Sequence, residues 1–118
     1  DFDKTMAAHY DRVKVEPNNP EGYYTISVFF WDKVNKDFQL KEPEKRKYLG
    51  QGLEAANKAL ELNPNYIDAL VYKGLILRSQ ALIEKEPSKQ NALIAEATQL
   101  RDKAEALRKK KAAGEEVK

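Results

Sequence analysis

Few side chains in this 118-residue sequence could perform chemistry. Its single histidine, His9, follows Asp1 and Asp3, and imidazole with carboxylates is a donor set that can bind a metal ion. A lone histidine at helical spacing from apolar residues more often belongs to a half-buried helix face. We therefore expect neither a metal site nor a cofactor.

Patterns for nucleophilic catalysis or phosphate binding are also missing. The sequence has no cysteine, and one histidine cannot form a Ser/His/Asp arrangement beyond chance. Gly50, Gln51 and Gly52 lack the third glycine of a phosphate-binding loop and fall inside a helical pattern. The sequence predicts no catalytic residue, and we expect a protein that is not an enzyme.

The charge balance bears on the kind of partner. Lysine and arginine number 21 against 19 aspartates and glutamates, a net charge of +2, which argues against nucleic-acid binding through bulk charge. The basic run at 108–111 is typical of a solvated helix end, because the helix dipole favours cations there. No segment approaches the roughly 20 apolar residues of a membrane span, and no leader peptide is visible. We expect a protein or peptide partner and leave the compartment open.

An aromatic stripe is the most informative feature of the sequence. Its members recur at spacings of four, three and four and so share one helix face: Tyr24, Val28, Trp31 and Asn35. Aromatic stripes at helical spacing are more often buried core than binding site. Two interpretations therefore stay open, namely packing against neighbouring helices and binding of a partner.

Prolines and asparagines divide the sequence into five segments of helical length. The predicted helices cover residues 1–16, 20–40, 44–62, 66–85 and 88–112, and residues 113–118 form a frayed tail. Residues 25–31 are rich in β-branched and aromatic types, as strands are, but a single strand would have no pairing partner. We therefore predict an all-α domain of about five helices packed as antiparallel hairpins.

An internal repeat relates these segments. A shift of 47 residues places Pro17 on Pro64 and Phe30 on Leu77, and a shift of 44 places Leu49 on Leu93. Repeated two-helix units of this length indicate a solenoid-like array. The predicted domain, residues 1–112, thus contains the second helix of a partial repeat (1–16) and two full helix pairs (20–62 and 66–112).

The repeated units resemble the tetratricopeptide repeat. In the first helix of the first pair, the matching residues are Tyr23, Ile26, Ser27 and Phe30. In the first helix of the second pair, they are Leu70, Lys73, Gly74 and Leu77. The helix between them matches at its end, residues 59–64. Lys73 departs from it, since the family prefers leucine there. The period also exceeds the family's roughly 34 residues, and helices extended to Leu40 and Lys85 would absorb the surplus.

This resemblance implies a function. In tetratricopeptide proteins the face with the aromatic stripe lines a concave groove that binds extended peptides, together with its equivalents in the next unit. The candidate groove residues are Tyr24, Val28, Trp31, Asp32, Val71, Leu75 and Arg78. Some family members grip a terminal carboxylate with lysine and asparagine, but the corresponding residues here are apolar or aromatic. We expect an apolar or aromatic segment to bind, with polar contacts from Asp32, Lys33 and Arg78 at the edge.

Two further expectations concern packing. Glycine within a helix costs about 0.5–1 kcal/mol relative to alanine, so Gly74 predicts a closely approaching helix, with Ala56 and Ala59 also small at the crossing. The first segment resembles the second helix of a pair without its partner, which leaves an apolar end. The alternative function is therefore self-association, as a homodimer or a helix-exchanged assembly.

Overall fold

A computed structural model describes residues 1–117, which form five α-helices and no strand. The helices are α1 (Phe2–Val15), α2 (Pro20–Lys36), α3 (Glu42–Leu62), α4 (Ile67–Ile83) and α5 (Pro87–Ala112). The predicted all-α class is confirmed, and the strand-like residues 25–31 lie within α2. Residues 113–117 continue beyond α5 without regular structure, and residue 118 of the predicted tail lies outside the described residues.

Local side-chain chemistry explains where four of the five helices begin. The side chain of Asp1 accepts a hydrogen bond from the Asp3 N–H at 2.8 Å, and that of Asn19 accepts one from the Glu21 N–H at 3.1 Å. Such bonds satisfy donors that have no partner within the first turn of a helix. Prolines occupy the first or second position of α2, α3 and α5, where a backbone N–H is not required.

Two helices end earlier than the sequence predicts. α2 ends at Lys36 instead of Leu40, because Asp37 accepts the Gln39 N–H at 3.0 Å and a contact from Lys33 Nζ at 2.8 Å. An aspartate that binds its own local backbone competes with helix continuation. α4 likewise ends at Ile83, before the proline that begins α5. The extra residues of the long repeat period lie instead in α3 and α5. These helices have 21 and 26 residues, whereas α2 and α4 have 17 each.

The helices pack as successive hairpins. α2 packs on α3 and α4 packs on α5, while α4 also contacts both helices of the first hairpin and α1 covers one side of α2. One apolar cluster joins α1, α2 and α3 through Met6, Val13, Ile26, Phe30 and Ala55. A second cluster joins α4 and α5 through Leu70, Ala104 and Leu107, with Leu60 of α3 against it. α4 thus lies at the centre of the packing.

Gly52 and Gly74 differ in how closely neighbouring helices approach them. A Cβ atom added to Gly52 would lie 3.1 Å from Phe30 Cβ and 3.2 Å from Ile76 Cδ1, so α2, α3 and α4 meet there. A Cβ atom added to Gly74 would lie 3.6 Å from the carbonyl oxygen of Ala97. The helix that faces Gly74 is α5, and 3.6 Å is an ordinary van der Waals distance, so the prediction of an approach close enough to require glycine is wrong at this position. Ala56 and Ala59 of α3 are buried, yet neither provides an atom within 4 Å of that position.

Candidate functional site

Two of the predicted groove residues, Tyr24 and Trp31, lie between α2 and α4. Tyr72 of α4 is edge-on to both rings, with centroids 5.7 Å from each and interplanar angles of 81° and 88°. The ring of Tyr66 lies 5.2 Å from that of Tyr24. We call these four side chains the aromatic seam. It joins the first helices of the two hairpins.

The polar atoms of the aromatic seam are partly withdrawn from water. Nε1 of Trp31 is buried and has no hydrogen-bond partner among residues 1–117. Burial, followed by the charge of Glu21, raises the pKa of Tyr66 to about 12. Burial, followed by the charge of Asp68, also raises the pKa of Tyr24. Tyr24 and Trp31 therefore make the contacts with a neighbouring helix that the packing interpretation of the stripe requires.

Three other predicted residues lie together on an adjacent face of α4. Val71, Leu75 and Arg78 are half-buried and border a cavity of about 170 Å³ between α4 and α5. We call it the α4–α5 pocket. Its full lining is Leu70, Val71, Gly74, Leu75 and Arg78 from α4, and Ala97, Arg101, Ala104, Glu105 and Arg108 from α5. The floor consists of small or apolar residues that are buried, Leu70, Gly74, Ala97 and Ala104.

The edge of the α4–α5 pocket is basic. Three arginines and one glutamate line it, which leaves a local charge of +2. Arg78 Nη2 donates a long hydrogen bond to Thr98 Oγ1 at 3.5 Å, and Arg101 Nη2 lies 3.6 Å from a carboxylate oxygen of its neighbour Asp102. Within residues 1–117, neither Arg78 nor Arg108 has an ion-pair partner. The pocket therefore combines an apolar floor with guanidinium groups that can receive carboxylates.

The remaining predicted residues lie apart from this pocket. Asp32 pairs with Lys36 at 3.6 Å and borders a shallow cavity beside Phe2 and Phe29, where α1 meets α2. Lys33, predicted at the groove edge, pairs with Asp37 at 2.8 Å. Val28 is half-buried on α2. The seven candidate residues are thus divided among the aromatic seam, the α4–α5 pocket and the α1–α2 cavity, with Val28 assigned to none of these.

The α5 side of the α4–α5 pocket was missed by sequence reasoning. The signal was a repeat of seven residues, two helical turns, which places Ala97 and Ala104 on one face and Arg101 and Arg108 beside them. This spacing indicates one side of a pocket only once α5 is known to pack against α4. Lys73, which replaces the expected leucine, also contacts α5, since its Nζ lies 3.2 Å from Glu96 Oε2. Its side chain is 19% exposed, so its stem follows the packing.

A second cavity, of about 440 Å³, lies where α3, α4 and α5 approach one another near Arg46, Ile83 and Leu93. Its charged side chains pair within the chain. Arg46 Nη2 donates to Glu42 at 2.8 Å and to the Ile83 carbonyl at 2.6 Å, while Glu96 pairs with Lys73. These contacts join α3 to the end of α4, and we assign this cavity a structural role.

The residues considered for metal binding do not converge. The ring of His9 lies against that of Phe29, with centroids 4.5 Å apart, and is half-buried. Across residues 1–117, no three histidine, aspartate or glutamate side chains are grouped so that they could hold a metal ion. None of the five helices in that part of the chain has the length and apolar character needed to cross a membrane.

Comparison with known proteins identifies no relative. The chain matches no protein-family profile, no curated protein and no solved structure. A functional assignment therefore depends on the geometry of the aromatic seam and of the α4–α5 pocket.

Proposed function

We propose that this chain is a non-enzymatic protein-interaction module, a divergent array of the tetratricopeptide type that binds a segment of a partner through α4. The observation that carries the proposal is the α4–α5 pocket. The sequence predicts Val71, Leu75 and Arg78 as binding residues, and all three border this one cavity. Binding sites in proteins are commonly concave, mostly apolar and supplied with a few polar groups.

The energetics of such an interaction follow from the lining. Val71 and Leu75 are half-buried, so each retains apolar surface that a partner can cover. Covering apolar surface is favourable by about 25 cal/mol for each Å² removed from water. The floor is held by two packed helices, which lowers the ordering cost of binding. An apolar side chain of the partner would enter the pocket, and the arginines at its edge would orient the polar groups around it.

The proposal gives the two parts of the predicted groove different roles. Tyr24 and Trp31 hold α2 against α4 through Tyr72, and thereby position the pocket residues. Val71, Leu75 and Arg78 contact the partner. Substitution of Trp31 would therefore alter packing as well as binding, and Leu75 is the more direct residue to test.

The test is a display selection of random 18-residue peptides on the whole chain, followed by binding measurements on Leu75→Asp. We expect the selected peptides to bind the parent chain and to lose at least tenfold in affinity for Leu75→Asp. Leu75→Gln serves as a milder variant, and circular dichroism establishes that each variant is folded. Ile94→Asp is the matched control, because Ile94 is an exposed apolar residue of α5 outside the pocket. The proposal fails if no peptide is selected whose binding depends on Leu75.

Self-association is the second candidate function, and exposed apolar side chains favour it. Phe38 is 92% exposed between α2 and α3, and Leu82 is 84% exposed at the end of α4. Such residues mark an interface only when a partner covers them together, since single exposed apolar residues are ordinary. Sedimentation over a concentration series tests this function. A dimer that dissociates on substitution of Phe38 or Leu82 by serine would favour it over peptide binding.

A further inference from the structure

We infer that the α4–α5 pocket is the docking site of an amphipathic α-helix from a partner protein, whose apolar stripe is bordered by aspartates or glutamates. The inference rests on the proposed function and adds two properties of the occupant, its helical conformation and its negative charge. Both follow from comparing the two hairpins and from the residues that line the pocket.

α2 and α4 are equivalent helices of the two hairpins. The 47-residue shift that relates the hairpins places Tyr24 on Val71 and Trp31 on Arg78. In the first hairpin, Tyr24 and Trp31 contact a helix, since both rings meet Tyr72 of α4. In the second hairpin the equivalent residues, Val71 and Arg78, border the α4–α5 pocket. The pocket thus begins on the helix face that carries a helix–helix contact one unit earlier.

α3 and α5 are likewise equivalent helices of the two hairpins. α4 approaches α3 at Gly52, and Leu60 of α3 packs against the cluster around Leu70. The 44-residue shift places Leu60 on Ala104, which lines the pocket from the α5 side. Both sides of the pocket therefore correspond to α2 and α3, the helices of the first hairpin on which α4 packs. An occupant that packs on α4 and α5, in the way that α4 packs on α2 and α3, would be a helix.

The backbone that surrounds the pocket also favours a helical occupant. Both sides are helix interiors, whose N–H and C=O groups bond within their own helix, so an extended segment would find no backbone partners there. A helix satisfies its own backbone groups and needs only side-chain contacts. Gly74, Ala97 and Ala104 are small, which permits close approach of a helix. The α5 residues run from Ala97 to Arg108, about 16 Å along the axis, or three turns.

The charge of the occupant follows from the arginines. Arg101 and Arg108 stand two turns apart along α5, and Arg78 borders the pocket from α4, against the single acidic residue Glu105. Arg78 and Arg108 form no ion pair with any of residues 1–117. Carboxylates bind guanidinium groups in two-point contacts, and the lysines at 109–111 extend the same sign of charge beyond the pocket. A helix bordered by lysines would instead be repelled.

The experiment uses two synthetic 18-residue helices with the same leucine and alanine stripe, one bordered by glutamates and one by lysines. Fluorescence anisotropy measures their affinity for the whole chain. We expect the glutamate helix to bind at least tenfold more tightly, and the difference to shrink as salt is added. In Arg78→Glu/Arg108→Glu the preference should reverse. Lys4→Glu/Lys47→Glu is the matched control, because it changes the total charge equally at exposed residues outside the pocket.

Each alternative occupant predicts a different result. Equal binding of a glutamate peptide whose helix is broken by a central proline would identify an extended segment and overturn the inference. Equal binding of the two helices, or no effect of the arginine substitutions, would also overturn it. A dimer of the chain that Arg78→Glu/Arg108→Glu dissociates would identify a second copy as the occupant. Arg101→Glu/Arg108→Glu, which changes exposed residues alone, gives the same readout if the first variant is unstable.

The inference and the proposed function fail separately. Peptides that bind in a Leu75-dependent manner, but are neither helical nor acidic, would retain the interaction function and reject this occupant. Absence of any Leu75-dependent peptide would reject both.

Discussion

Tyr72 of α4 stands perpendicular to Trp31 of α2, with ring centroids 5.7 Å apart and an interplanar angle of 88°. The same ring meets Tyr24 at 5.7 Å. Aromatic pairs in this geometry contribute about 0.5–1.5 kcal/mol beyond the surface they bury. Tyr72 therefore couples the first helices of the two hairpins through two ring contacts.

Removal of this ring should weaken the whole array. We expect Tyr72→Ala to lower the free energy of unfolding by about 2–4 kcal/mol, because it loses two ring contacts and leaves a cavity. Tyr72→Phe keeps the ring and should change the free energy of unfolding by less than about 0.5 kcal/mol. Urea denaturation followed by circular dichroism measures both. Phe38→Ala is the control at a 92% exposed ring, and an equally small effect of Tyr72→Ala would contradict the role assigned to the aromatic seam.

Three glycine-to-alanine substitutions separate helix propensity from contact. At Gly50 nothing lies within 4 Å of an added Cβ, so alanine should stabilise by about 0.5–1 kcal/mol through propensity alone. At Gly74 the added Cβ makes an ordinary van der Waals contact, so alanine should stabilise the protein there as well. At Gly52 it would lie 3.1 Å from Phe30 Cβ, which the helix backbone holds in place, and we expect a net loss of about 1 kcal/mol. Thermal denaturation of the three variants measures these changes in stability. A stabilising Gly52→Ala would contradict the close contact among α2, α3 and α4 at Gly52.

Arg46 should contribute more to stability than its exposure suggests. It donates to Glu42 and to the carbonyl of Ile83, which joins α3 to the end of α4. We expect Arg46→Met to lower the free energy of unfolding by about 1 kcal/mol. Arg101→Met, whose ion pair is with its neighbour in the chain, should have little effect. Equal effects of the two substitutions in urea denaturation would remove the special role of Arg46.

The same contact has a consequence for pH dependence. The hydrogen bond from Arg46, followed by the charge of Lys85, holds the pKa of Glu42 below its ordinary value of 4.5. The stabilisation linked to this carboxylate is thus present above pH 4.5 and is lost as the pH falls through the lowered pKa. In Arg46→Met the pKa of Glu42 should rise, as measured by NMR titration of its carboxyl group. An unchanged titration would show that the bond does not form in solution.

Tyr66 should make the protein sensitive to alkali. Burial, then the charge of Glu21, raises its pKa from 10.0 to about 12. Below pH 10 the phenol is neutral in both the folded and the unfolded chain. Above it the unfolded chain ionises first, so stability falls as the pH rises from about 10 to about 12.

Spectrophotometric titration of the tyrosines should therefore contain a late transition that Tyr66→Phe removes. Glu21→Gln should lower the pH of this transition, because it removes a nearby negative charge. Glu86→Gln, at the start of α5, is the matched control and should leave it in place. A titration without a late component would contradict the burial assigned to the aromatic seam.

The five helices could be predicted because each break has a local cause in the sequence. Proline and asparagine mark the connections, and a strand at residues 25–31 would have had nothing to pair with. The early end of α2 was missed because no glycine or proline marks it. It depends on the contacts of the Asp37 side chain with Lys33 and with the backbone of Gln39, which cannot be predicted from the residue types alone.

The candidate site was predicted less well, for a physical reason. Helical spacing shows that Tyr24 and Trp31 share a face, but not which neighbouring helix that face meets. Tyr72 lies outside the predicted stripe and still determines what surrounds both rings. The arginines of α5 border the pocket only because α5 pairs with α4. Contacts between distant parts of a chain require the tertiary arrangement.

The order in which the helices pack has a kinetic consequence. Throughout residues 1–117, helices that contact one another are never more than two places apart along the chain. Most contacting residue pairs therefore lie close together in the chain, and the entropy of loop closure rises only slowly with loop length. Chains dominated by local contacts fold in microseconds to milliseconds. Rapid, stepwise growth from a single helical pair is therefore the folding route expected from this architecture.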